Sequence, residues 1–128
     1  MDFNDDKDYI MRMIKEMTRV LFSLMFGKQY KSVELSDENK YEVSGMLLRE
    51  WKEMVDRGFI NEAENTILTN LDHTRKEEVF TALLFYQYVS EKDEGFLTAH
   101  NYSREEALEG IKTLLERAGY GEVNTLLS

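Results

Sequence analysis

At 128 residues, with 42% apolar and 12% aromatic side chains, the chain carries material for one hydrophobic core and is too short for two, while 32% charged residues solvate its surface and argue against disorder. A net charge of −9 repels phosphate and excludes a general nucleic-acid binder or an adhesin for anionic membranes. Without cysteine there is no disulfide framework, thiolate nucleophile or zinc-finger pattern, and no apolar run approaches the roughly 20 residues of a membrane span.

Proline is absent and glycine occurs only seven times, so little forces the backbone out of a helix, and the abundant Leu, Met, Glu and Lys favour one. Charge is uneven: residues 1–35 hold six basic and six acidic side chains, and residues 36–128 hold ten basic and nineteen acidic. The acidic opening Met1-Asp2-Phe3-Asn4-Asp5-Asp6 lacks the basic and apolar regions of a secretory signal, so a cytoplasmic protein is expected.

The first periodic segment, residues 8–27, places Ile10, Met13, Ile14, Met17, Leu21, Leu24 and Met25 on one apolar face of an amphipathic helix. Met11, Phe22 and Phe26 lie off that face beside Arg12, Lys15 and Arg19, making the helix greasier than one packing face requires. Gly27 is a left-handed cap, and Lys28 to Leu35 reads as a linker. Ser36-Asp37-Glu38 then supplies an N-cap and acidic first turn for a second helix through Tyr41, Leu47, Leu48, Trp51, Met54 and Val55 to Arg57, with Gly45 as an interior weak point. Gly58 closes it, and Asn61 with Glu64 forms a capping box for a third helix carrying Ala63, Ile67 and Leu71.

Thr74 and Glu77 make a second capping box, leading into a segment from Val79 to Val89 that is apolar almost all round and belongs at a buried centre. Residues 91–100 read as a polar connection with a turn anchored by Phe96 and Leu97. Ser103 and Glu106 make a third capping box, with Tyr102 stapled against Ala107. Ala107, Leu108, Ile111, Leu114, Leu115 and Ala118 then keep helical spacing to a Schellman stop at Gly119-Tyr120. The tail ends in Leu126-Leu127, suited to one docked turn. The expectation is an all-α domain over residues 1–128 with about five helices: an N-terminal amphipathic helix at 8–27 and a body of antiparallel helical hairpins at 36–128.

Gly58, the large apolar residue after it, and Ala63, Ile67 and Leu71 resemble the second half of a tetratricopeptide repeat, although Trp51 stands where that repeat usually has a small residue. The resemblance implies a tetratricopeptide-like superhelix or bundle. At a second level, Tyr9-Ile10-Met11-Arg12-Met13-Ile14, followed by Leu21-Phe22 and Phe26-Gly27-Lys28, resembles the opening of a family of small helical bacterial proteins catalogued as a domain of unknown function. That resemblance covers most of the chain and implies a bacterial, cytoplasmic, helical protein with no catalytic residues to transfer.

Chemistry-bearing groups are sparse. His73 and Glu77 share a face at four-residue spacing and can be imagined with His100 as metal ligands, but polar loop positions explain both histidines more simply. The pairs Glu77-Glu78 and Glu105-Glu106 occupy helix first turns, where the helix dipole accounts for them. Of the aromatic cluster Phe80, Phe85, Tyr86 and Tyr88, core packing explains most; Tyr86, Tyr88 and Trp51 are the candidates for a partner groove because each has a polar tip. The second candidate surface is Met11, Arg12, Lys15, Arg19, Phe22 and Phe26, complementary to the acidic body of a second copy. These readings give a non-enzymatic interaction module without cofactor or metal, a homodimer or binder of a partner protein. The alternative is a small-molecule-binding or catalytic domain with a pocket near Trp51, Tyr86 and His100.

Overall fold

The computed structural model describes the backbone of residues 4–27 and 40–127 and the side chains of residues 9–27 and 40–125. Among these residues seven helices and one two-stranded sheet follow in order: α1 Asn4–Phe26, β1 Glu42–Val43, β2 Met46–Leu47, α2 Leu48–Asp56, α3 Ile60–Asn70, α4 Lys76–Ser90, α5 Glu94–Ala99, α6 Arg104–Arg117 and α7 Glu122–Leu127. The class is all-α, with seven helices where five were expected. The two additions are short: α5 forms inside the connection anchored by Leu97, and α7 is the docked tail, held by buried Val123 and by the Asn124 amide donating to the Lys112 carbonyl at 3.1 Å.

The sequence leaves α4 no polar side, and ten of its fifteen residues are buried. It therefore lies at the centre, against α1, α2, α6 and β1. The buried hydroxyls of Thr81 and Ser90 are satisfied within the helix, Thr81 donating to the Glu77 carbonyl and Ser90 to the Gln87 carbonyl, each at 2.7 Å. α1 turns Ile10, Ile14, Met17, Leu21 and Met25 inward, and α6 turns Ala107, Ile111, Leu114 and Leu115, so all share one continuous core. α1 also touches α6 and α7, closing the bundle from its first helix to its last. Lys76 at the start of α4 donates to the Met25 carbonyl at 3.0 Å and so caps the end of α1.

The second expected helix is the main correction. Its proposed start at Ser36-Asp37-Glu38, like the Lys28–Leu35 linker, lies outside the described residues. Residues 42–47, however, form a hairpin pairing Glu42 with Leu47 and Val43 with Met46. Ser44 and Gly45 both have positive φ, 57° and 78°, the geometry of a two-residue type I′ turn. Gly45 is thus a turn residue and not a weak point within a helix. The hairpin persists because Tyr41 and Val43 are buried, the Tyr41 ring 5.7 Å from that of Phe80 on α4. α2 starts only at Leu48, where Glu50 accepts the Leu47 N–H at 2.8 Å.

α2 ends in a Schellman turn: Phe59 N–H donates to the Met54 carbonyl and Gly58 N–H to the Val55 carbonyl, both at 2.9 Å. Gly58 has φ of 90°, and a Cβ there would stand 2.3 Å from the His100 imidazole. The same two-bond pattern ends α6, where Tyr120 N–H reaches the Leu115 carbonyl at 2.7 Å and Gly119 N–H the Glu116 carbonyl at 3.2 Å. Of the three expected capping boxes, only the bond from Glu106 N–H to the Ser103 hydroxyl forms, at 3.1 Å. Asn61 lies inside α3 and spends its amide on the His100 and Asn101 carbonyls. Thr74 is drawn to Asp72, which accepts both its N–H and its hydroxyl proton.

The two glycine turns separate backbone cost from crowding. Gly45→Ala, with open space around its Cβ, should cost about 1 kcal/mol in urea unfolding, and Gly58→Ala at least about twice that, because the His100 ring must also move. Equal costs would contradict the close seating of His100 on the α2–α3 turn.

Candidate functional site

Three side-chain constellations lie outside the plain apolar core. The first is centred on Glu64. α3 buries Ile60, Ala63 and Ile67, and Glu64 shares that face, so its carboxylate points towards the bundle. There one oxygen, Oε2, accepts the Tyr86 hydroxyl proton from α4 at 2.7 Å and the Tyr102 hydroxyl proton at 3.1 Å. Both phenols are buried, and burial raises their pKa well above the ordinary tyrosine range, reinforced by the Glu64 charge. The Tyr86 ring fits against α6 only because residue 110 is glycine; a Cβ there would stand 2.6 Å from the ring. Beside this triad opens a cleft of about 450 Å³ lined by Leu68, His73, Tyr86, Gly110, Leu114 and Arg117, with Glu105, Glu106 and Glu109 on α6 also contributing.

This cleft differs from the expected pocket. Tyr86 lines it, whereas Trp51 is fully buried in the core, and His100 packs on Phe96 with ring centroids 4.6 Å apart and against Gly58. Trp51 therefore offers no groove surface, and Tyr86, though buried, borders the cleft. His73 lines the cleft while His100 sits at the α2–α3 turn, and no group of three His, Asp or Glu side chains among the described residues is placed to hold a metal ion.

The second constellation fixes Tyr88. Its hydroxyl donates to Asp56 Oδ1 at 2.6 Å, Lys92 pairs with the same oxygen, and the Lys92 ammonium lies 4.8 Å from the Tyr88 ring centroid. The Lys92 hydrogen bond, followed by that from Tyr88, holds the Asp56 carboxyl below its usual range. Buried Arg104 donates to the Ser90 carbonyl at 2.8 Å and also to the Lys92 carbonyl, satisfying the C-terminal end of α4.

The third is the outer side of α1. Phe22 and Phe26, expected to face a partner, stack on each other at 4.9 Å and on Phe80 at 5.2 and 5.9 Å, and so belong to the α1–α4 contact. Met11 is half-buried on the same side. Arg12, Lys15 and Arg19 are exposed, with Arg19 paired to Glu16 one turn earlier. The surplus apolar surface lies on the opposite flank: Tyr9 is 53% exposed and Leu24 58%, and Met13 and Val20 are half-buried between them. Leu24 was expected on the core face but is exposed, because the core takes the narrower strip through Ile14, Met17 and Leu21, with Met13 packed half-buried at its edge.

Sequence reasoning missed Glu64, Tyr102 and the Tyr9–Leu24 flank. A carboxylate at position 64, among apolar positions 60, 63, 67 and 71 of one helical face, is the signal that a buried polar partner exists.

A family model described as a family of unknown function, DUF6483, matches residues 4–119. The chain belongs to that family. The matched region of this DUF6483 chain spans α1 to α6 and contains all three constellations. No curated protein and no solved structure matches the chain. Among the described residues, no helix is long and apolar enough to cross a membrane.

The triad makes stability depend on alkaline pH. In the unfolded chain the phenols ionise near 10, while in the fold they stay protonated to higher pH. Unfolding therefore releases protons above pH 10: the contribution is complete below that value and is lost as pH rises further. Urea unfolding should show stability falling by up to about 1.4 kcal/mol per pH unit for each phenol above pH 10. The double variant Tyr86→Phe/Tyr102→Phe should be less stable at pH 8 and flatter above 10. Parallel curves for both proteins would contradict the protonated, Glu64-bound phenols.

Proposed function

We propose that this protein is a non-catalytic helical interaction module that pairs with a second copy of itself through the outward flank of α1. The observation that carries this reading is the pair of outward apolar side chains Tyr9 and Leu24, each more than half exposed on the flank of α1 that also holds half-buried Met13 and Val20. Charge supports the choice of partner. A chain of net charge −9 repels its own copies over most of its surface, whereas the exposed side of α1 between Tyr9 and Phe26 carries three cations, Arg12, Lys15 and Arg19, to one anion, Glu16. Two copies approach with least repulsion there.

The Glu64 triad supports the non-catalytic half of the reading. Both phenols are held protonated at neutral pH and cannot serve as bases or nucleophiles, and one carboxylate oxygen of Glu64 already takes both their protons. Its geometry is that of a brace between α3, α4 and the start of α6.

Charge placed on this flank tests the pairing. Tyr9→Glu and Leu24→Glu should each convert a two-chain mass in light scattering to a one-chain mass while leaving the far-ultraviolet helical signal and Tm nearly unchanged, as expected for exposed positions. Phe22→Glu, by contrast, should lower Tm strongly because its ring lies on Phe80. A mass unaffected by charge at both Tyr9 and Leu24 would overturn the proposal.

A further inference from the structure

The cleft beside the Glu64 triad has a chemistry of its own. At about 450 Å³ it has the volume of a small-molecule site, and it is bordered by α3, α4 and α6. Tyr86, Leu114 and the exposed Leu68 give it an apolar wall. Four carboxylates, those of Glu64, Glu105, Glu106 and Glu109, share the lining with a single guanidinium, that of Arg117. Arg117 lies eight residues beyond Glu109, about 12 Å further along α6 at 1.5 Å per residue, and pairs with none of them.

The carboxylates are short of partners. Glu64 commits Oε2 to both phenols, and its other oxygen accepts no hydrogen bond among the described residues. Glu105 and Glu106 make no ion pair there, and Glu109 has only Lys112, at 3.9 Å and exposed to solvent. The dipole of α6 accounts for Glu105 and Glu106 in the first turn but not for Glu109, which stands four residues after Glu105, a like-charge spacing that destabilises a helix. A cation in the cleft relieves that repulsion. A metal ion does not fit, because it needs three or more converging ligands and no such group occurs among the described residues. Carboxylates spread along an apolar wall suit charges spread along an apolar stem.

We infer that the cleft between α3 and α6 binds a linear aliphatic polyamine, its methylene stem along Leu68, Leu114 and Tyr86 and its ammonium groups on Glu64, Glu105 and Glu109. Protonated amines offer donors only, matching a lining whose uncommitted charged groups, Arg117 apart, are acceptors. The site is separate from the flank of α1 proposed for pairing, and neither reading requires the other.

Calorimetric titration of the full chain with spermidine tests the inference, at about 150 mM salt to weaken loose attraction between a trication and an acidic surface. Spermidine should bind one to one and raise Tm, whereas butylamine, with one charge, and magnesium, with no stem, should each bind at least about tenfold more weakly. The double variant Glu105→Gln/Glu109→Gln should keep its Tm, both side chains being exposed, and lose about tenfold in spermidine affinity. Glu53→Gln/Glu91→Gln, at exposed positions outside the cleft, makes the same change in net charge and should leave the affinity within about twofold. Equal losses in the two double variants would reduce the binding to general charge attraction and overturn the site. Magnesium binding as tightly as spermidine, or the absence of both spermidine binding and a Tm shift, would overturn it as well.

Discussion

Burial of α4 on nearly every side is the constraint on which the rest of the molecule depends. A helix with ten of fifteen residues buried must be wrapped, and each wrapping element is shaped by what it offers to α4. α1 supplies Phe22 and Phe26 to Phe80, the short hairpin supplies Tyr41 to the same ring, and α2 and α6 complete the enclosure. Apolar burial of this kind, at roughly 25 cal/mol per Å², is non-directional, so it secures compactness but not a unique arrangement of the surrounding helices.

Direction comes from a few polar groups along α4 and at its ends. Tyr86 reaches out to Glu64 and so fixes α3, which otherwise touches chiefly α2. Tyr88 reaches to Asp56 and fixes the end of α2, while Arg104 holds the carbonyls at the C-terminal end of α4 and ties α6 to it. Each bond joins a neutral donor to a carboxylate, or a guanidinium to a carbonyl. Hydrogen bonds to charged groups of this kind contribute about 1.5–3 kcal/mol each, more than an ordinary pair, and they are satisfied at one geometry only. The exposed Asp56–Lys92 pair adds less, because solvent screens it.

What the sequence discloses follows from the range of the forces involved. The stripe of α1 apart from Leu24, the stripe of α6, the all-round apolarity of α4 and the Schellman stop at Gly119-Tyr120 are local patterns, and the structure has them where periodicity and glycine placement put them. The hairpin at residues 42–47 was hidden because a Ser-Gly pair is compatible with a turn or a weakened helix, and the choice is made by Tyr41 and Val43 packing far along the chain on α4. One capping box failed for a related reason: Asn61 and Glu64 have better partners 22 to 40 residues away, and tertiary hydrogen bonds displaced the local one. A helical wheel likewise shows that α1 has surplus apolar surface but not which of it the core covers; Phe22, Phe26, Met13 and Val20 pack against the core, leaving Tyr9 and Leu24 exposed.

The bundle consumes its polar anchors internally and leaves Tyr9 and Leu24 exposed on α1, beside the cations Arg12, Lys15 and Arg19, in a strongly acidic chain. Sedimentation of the unsubstituted protein over the micromolar range, at low and at high salt, tests the claim most directly. An apolar contact between two chains of like charge predicts a monomer–dimer equilibrium that tightens as salt screens their repulsion. A monomer at every concentration, or a dimer that dissociates as salt is added, would contradict it.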